Sequence, residues 1–129
     1  MDNVSELVRL VGENVMGWHM AELSCGCTHW QNTDGQGMGD VELWWPDEDL
    51  DAAWQVKQAM NARGYGCTIR DGTTNGGPVH VLFWQDVKDG ESYKMYVQSR
   101  AQADTLPRAM CEAALQAVTT PLGERVGLG

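Results

Sequence analysis

The sequence predicts an α+β fold in which helices pack on an antiparallel or mixed sheet. Three observations carry that expectation. Apolar residues recur at helical spacing in three separate stretches, and β-rich runs lie between them. The resulting order of helix, strands, helix, strands, helix lacks the alternation of a doubly wound βαβ fold. A chain of 129 residues is one domain's length, enough to bury a core without staples. That single domain is expected over 1–120, with a glycine-rich tail over 121–129 that frays.

The first helix is expected over Ser5–Val15. Leu7, Val8, Leu10, Val11 and Val15 form its apolar side, Gly12 interrupts it and Gly17 closes it. Short strands are expected near Trp18–Leu23 and Thr28–Gln31, joined by a turn at Cys25-Gly26-Cys27. A further extended piece is expected over Val41–Trp45, where Trp44 and Trp45 would point to opposite sides and Pro46 would stop the strand. Asp47 is expected to cap a helix over Glu48–Arg63, with Glu48, Asp49 and Asp51 at the positive end of its dipole. Its apolar stripe is Leu50, Ala53, Trp54, Val56 and Met60, which assigns Trp54 to the core. Gly64 is the natural left-handed residue after it.

Three strands follow: Tyr65–Ile69, Val79–Trp84 and Tyr93–Gln98, the first two separated by a flexible turn over Asp71–Pro78. Pairing Val81 with Val97 and Phe83 with Met95 gathers the apolar side chains on one face. It leaves a three-residue loop, Lys88-Asp89-Gly90. The opposite face then carries His80, Leu82, Trp84, Lys94, Tyr96 and Gln98. The last helix is expected over Asp104–Thr119, capped by Asp104 or Thr105, with Pro107 in its first turn. Its apolar stripe is Leu106, Ala109, Met110, Ala113, Ala114, Ala117 and Val118.

Charge is unevenly spread. The formal net charge is −9, and between Leu10 and Val56 there are nine acidic residues and no Lys or Arg. From Lys57 onward, eight basic residues face seven acidic ones. A field of that sign repels phosphate backbones, so direct nucleic-acid binding is not expected. No apolar run is long enough to span a membrane, and the first residues do not resemble a signal peptide. The expected location is the cytoplasm of whatever cell makes the protein, where Cys25, Cys27, Cys67 and Cys111 would be free thiols.

His19, Cys25, Cys27 and His29 offer zinc-type atoms, but their spacing fits no finger, so no structural zinc and no cofactor are expected. A Cys25 or Cys27 nucleophile paired with His29 or His80 would need a lowered thiol pKa, and the surrounding negative charge acts the other way.

Two blocks resemble the phage ABA sandwich domain family: Asp47-Glu48-Asp49-Leu50-Asp51-Ala52-Ala53-Trp54-Gln55-Val56 and Ala103-Asp104-Thr105-Leu106-Pro107-Arg108-Ala109-Met110-Cys111-Glu112-Ala113-Ala114-Leu115. Val15-Met16-Gly17-Trp18 is similar to the end of that family's first helix. The resemblance implies an α/β/α sandwich and a phage or prophage origin, and it carries no catalytic motif. A sandwich of that kind would lay a helix over either face of the hairpin.

Six tryptophans stand against one phenylalanine. Indole and phenol rings beside a few polar groups suit a planar ligand. The candidate ligand-binding residues are Trp84, His80, Lys94, Tyr96, Arg70, Arg100 and Trp45. The function expected from them is non-enzymatic: capture of a small nucleotide-type ligand, such as a host immune signal, by a homo-oligomer. The alternative is an interaction protein whose acidic half occupies the basic, nucleic-acid-binding surface of a host defence protein. A hydrolase or metal-dependent enzyme ranks behind both.

Overall fold

In a computed structural model of the chain, the described residues are 5–24, 26–71 and 77–119. Cys25, residues 72–76 of the expected turn, and the residues 121–129 expected to fray lie outside them. Three helices and two three-stranded antiparallel sheets make an α+β sandwich.

Helix α1 runs Glu6–Asn14, and the Ser5 hydroxyl accepts the Val8 N–H at 3.2 Å. Strands β1 (His19–Glu22), β2 (Thr28–Gln31) and β3 (Gly37–Asp40) form the first sheet in that order. Val41–Leu43, expected as extended, is a turn of 3-10 helix, and the third strand lies just before it. Helix α2 runs Leu50–Ala62. Its cap is Asp49, not Asp47: the N–H groups of Glu48 and Asp49 both bond to the Trp45 carbonyl, and that turn delays the helix by two residues. Gly64 follows with φ +95°, as expected.

Strands β4 (Gly66–Asp71), β5 (Val79–Asp89) and β6 (Ser92–Ala103) form the second sheet, and helix α3 (Leu106–Thr119) packs across β5 and β6. The expected hairpin register is wrong. Val81 faces Ala101 and Phe83 faces Ser99, whereas Met95 is 59% exposed. The hairpin closes through two residues, Gly90 and Glu91, with Gly90 at φ +66°, the glycine-first form of the tight turn. Small side chains opposite Val81 and Phe83 let the alanine face of α3 approach closely. The Ser99 hydroxyl there donates to the Ala113 carbonyl at 2.7 Å.

The core joins α1 (Val8, Val11), α2 (Ala53, Val56, Met60), β5 (Val79, Val81, Phe83) and α3 (Ala109, Met110, Cys111, Ala113, Ala114, Ala117). Trp18, Trp30 and Trp44 extend it beneath the first sheet as a cluster with ring centroids 4.8–6.1 Å apart. Trp54, expected in the core, is 43% exposed, with Lys57 Nζ 5.3 Å from its ring centroid. Leu50 is exposed as well. The stripe that α2 buries is Ala52, Ala53, Val56 and Met60, rotated away from both of those larger side chains.

Candidate functional site

Side chains alternate across a strand, so burying Val79, Val81 and Phe83 against the helices sends Arg70, His80 and Leu82 to the other face. Among the described residues no helix covers that face at its edges, where Thr68, Arg70, Arg100 and Gln102 are all exposed. A groove of about 640 Å³ lies there, lined by Arg70, His80, Leu82, Arg100, Ala101 and Gln102.

Strand register fixes the layout. Arg70, His80 and Gln102 form one cross-strand row, Thr68, Leu82 and Arg100 the next, and Gly66, Trp84 and Val97 the third. Two strand spacings and one two-residue step separate the α-carbons of Arg70 and Arg100 by about 12 Å. The guanidiniums thus flank His80 and Leu82 from opposite edges of the sheet. Among the described residues neither has a carboxylate partner, which leaves their planar forks available to an anion.

Trp84 is held beside this groove. Its Nε1–H donates to Thr68 Oγ1 at 3.0 Å. Its ring lies on Gly66, where an added Cβ would collide with the indole atoms Cζ2, Cε2 and Cη2. Glycine at position 66 therefore makes a flat seat for the ring, a reason for glycine inside a strand that has nothing to do with a turn.

The bulge between the Phe83 and Trp84 pairings leaves Gln98 unpaired in the ladder and inverts parity along the rest of the hairpin. Tyr96 pairs with Gln85 and Lys94 with Val87, so both project from the face opposite Trp84. Of the expected ligand residues, the structure brings together Arg70, His80, Arg100 and Trp84. It places Lys94 and Tyr96 on the other face, further along the hairpin. Trp45 is half-buried in the turn before α2 and lines neither this groove nor the acidic one below. Gln102 was missed because the wrong register ended the third strand at Gln98. Gln98, expected on the open face, is 6% exposed, and its amide nitrogen and oxygen both lack partners.

A second groove of about 620 Å³ lies at the start of α3, lined by Asp47, Glu48, Asp104, Arg108 and Glu112 among others. Buried nearby, Cys111 is pushed well above the usual thiol range by burial first, then by Asp47 and Glu112, with Arg108 opposing. Burial also raises Cys67, against the pull of Lys57. Both thiols are thereby poor nucleophiles. Among the described residues, no three His, Cys, Asp or Glu side chains gather as a metal-binding group. No helix among them is long and apolar enough to cross a membrane.

A family model for the phage ABA sandwich domain matches residues 9–115. The chain belongs to that family. The match takes in both sheets and α2 whole, with parts of α1 and α3, and every residue that lines the open groove of this phage ABA sandwich domain lies within it. No curated protein and no solved structure matches the chain.

Proposed function

We propose that this phage ABA sandwich domain is a binding module. It holds a small phosphate-bearing ligand of nucleotide type on the open face of β4, β5 and β6 and releases it chemically unchanged. In an infected host cytoplasm, such a module would withdraw a nucleotide signal from the defence response. The observation that carries this reading is the convergence of Arg70, His80 and Arg100 on one groove of a chain whose net charge is −9. Trp84 beside them offers a pinned ring for a base. Stacking of a base on an aromatic ring contributes about 1–3 kcal/mol. Each charge-assisted contact to phosphate adds about 1.5–3 kcal/mol. Two guanidinium contacts and one stacked base amount to about 4–9 kcal/mol before the cost of association, which by themselves support affinity of about millimolar.

Titration calorimetry with mono-, di- and cyclic nucleotides, and with orthophosphate as the control, tests the reading. Arg70→Ala and Arg100→Ala should each weaken binding about tenfold or more while the melting temperature of the free protein holds. Ligand recovered by heat release should have its starting mass. If no nucleotide binds, the reading fails.

A second reading has an observation of its own. Leu43, Leu50 and Trp54 are exposed close in sequence to the exposed acids Glu48, Asp49 and Asp51. Apolar side chains set among carboxylates suit a basic protein surface, as an acidic mimic of nucleic acid would require. Salt-sensitive capture of a host protein, lost on Trp54→Ala and unaffected by Arg70→Ala, would favour this reading over the first.

A further inference from the structure

We propose that the outer half of the β5–β6 hairpin is a self-pairing arm that joins two copies of this chain edge to edge. Strand β4 pairs with β5 only from Val79 to Trp84, and beyond that point the hairpin continues as two strands with no third among the described residues. A two-stranded ribbon is marginal in water, and its open edges are templates for another strand. The same segment exposes Val87, Tyr93 (67%) and Met95 (59%), side chains that a lone solvated hairpin gains nothing by displaying.

The occupant is a second copy because the β5 edge is complementary to itself. In an antiparallel pairing about a two-fold axis at Val87, Asp86 faces Lys88 of the second copy, and Lys88 faces its Asp86. Both side chains are exposed, and neither is in an ion pair among the described residues. Moving the axis to Asp86 sets carboxylate against carboxylate, and moving it to Lys88 sets ammonium against ammonium, so charge selects the register. The β6 edge offers no such match. Lys94 is its only charged residue between Ser92 and Ser99, and further on the Arg100 N–H is already taken by Gln116 Oε1 at 2.8 Å. Two-fold pairing on β5 is isologous and closes at a dimer. Residues 85–96 hold two lysines against three acids, so the arm carries little of the negative charge that otherwise keeps copies apart. The pairing is independent of any ligand in the groove.

Sedimentation equilibrium on the full chain tests it. The native chain should dimerise. Asp86→Lys and Lys88→Asp, which each oppose like charges, should weaken the dimer about tenfold or more. An equimolar mixture of these two variants should restore it as a heterodimer, and the double variant D86K/K88D should restore the homodimer. Matching circular-dichroism melts at dilutions where every chain is monomeric separate lost pairing from lost folding. A native chain that stays monomeric, a dimer indifferent to single reversals, or a mixture that stays monomeric overturns the proposal.

Discussion

The two sheets treat tryptophan in opposite ways, and in each case a glycine decides where the ring goes. Beneath the first sheet, Trp30 lies on Gly12 of α1, where an added Cβ would fall 2.5 Å from Cη2. That ring is fully buried and is boxed in by Trp18 and Trp44. On the second sheet, Trp84 lies on Gly66 in the same manner, yet its outer side is only half-buried. One seat is sealed and the other is open. The sealed ring supports the fold, and the open one is available to a ligand.

The largest effect should come from Trp30→Ala, which empties the sealed seat. Removing a fully buried aromatic side chain costs about 3–5 kcal/mol, less any collapse of the cavity. The unpartnered Trp30 Nε1 offsets a little of this, because the native state already carries a buried donor without an acceptor. Urea unfolding should show the loss. A cost near 1 kcal/mol would mean that the tryptophan cluster is loosely packed.

Gly12→Ala comes next. Alanine favours the helix by about 1 kcal/mol over glycine. Here its methyl meets a ring that has nowhere to go, and overpacking costs about 1–3 kcal/mol. The net effect should be destabilising, opposite in sign to the usual result for an exposed helix glycine. A more stable Gly12→Ala protein would break the sealed half of the comparison.

Much of this was legible in the sequence, and the failures have separate physical causes. Periodicity located three helices and most strands because burial imposes one spacing on a helix and another on a strand. It could not find the bulge at Gln98, because a single extra residue leaves local patterning intact while inverting every side chain beyond it. Lys94 and Tyr96 were therefore expected beside Trp84 and lie on the opposite face. Trp54 fell at a core position by spacing, but Ala52 and Ala53 fill the narrow space toward the core and leave the indole outside. The tryptophan excess hinted at a ligand, yet Trp18, Trp30 and Trp44 are core. His80 lies on the near side of the bulge, where simple alternation places it correctly, whereas Arg70 and Arg100 were named for their charge and lie just beyond the ends of the expected strands.

Trp84→Ala should have a modest effect on stability, about 1 kcal/mol, since the ring is half-exposed and its one hydrogen bond is to an exposed hydroxyl. Its effect on a nucleotide ligand should be larger, about tenfold in affinity, from the lost stacking surface. Calorimetry beside a thermal melt separates the two. Equal affinity in the variant would remove Trp84 from the site and leave the groove to Arg70, His80 and Arg100.

Gly66→Ala should change stability least and is the sharpest probe of the difference between the seats. The added methyl occupies the place of the Trp84 ring, as the methyl at position 12 does for Trp30. The outcome differs because Trp84 can swing outward into solvent. Swinging gives up the Nε1–Thr68 bond, worth about 0.5–1.5 kcal/mol. Replacing a glycine inside a strand returns about 0.5–1 kcal/mol of backbone entropy. These terms nearly cancel, so the melting temperature should stay close to that of the native chain. The ring, however, leaves its platform position, and nucleotide affinity should fall toward that of Trp84→Ala. A Gly66→Ala chain destabilised as strongly as Gly12→Ala would mean that Trp84 is as confined as Trp30, and a confined ring has no free side on which to stack a base.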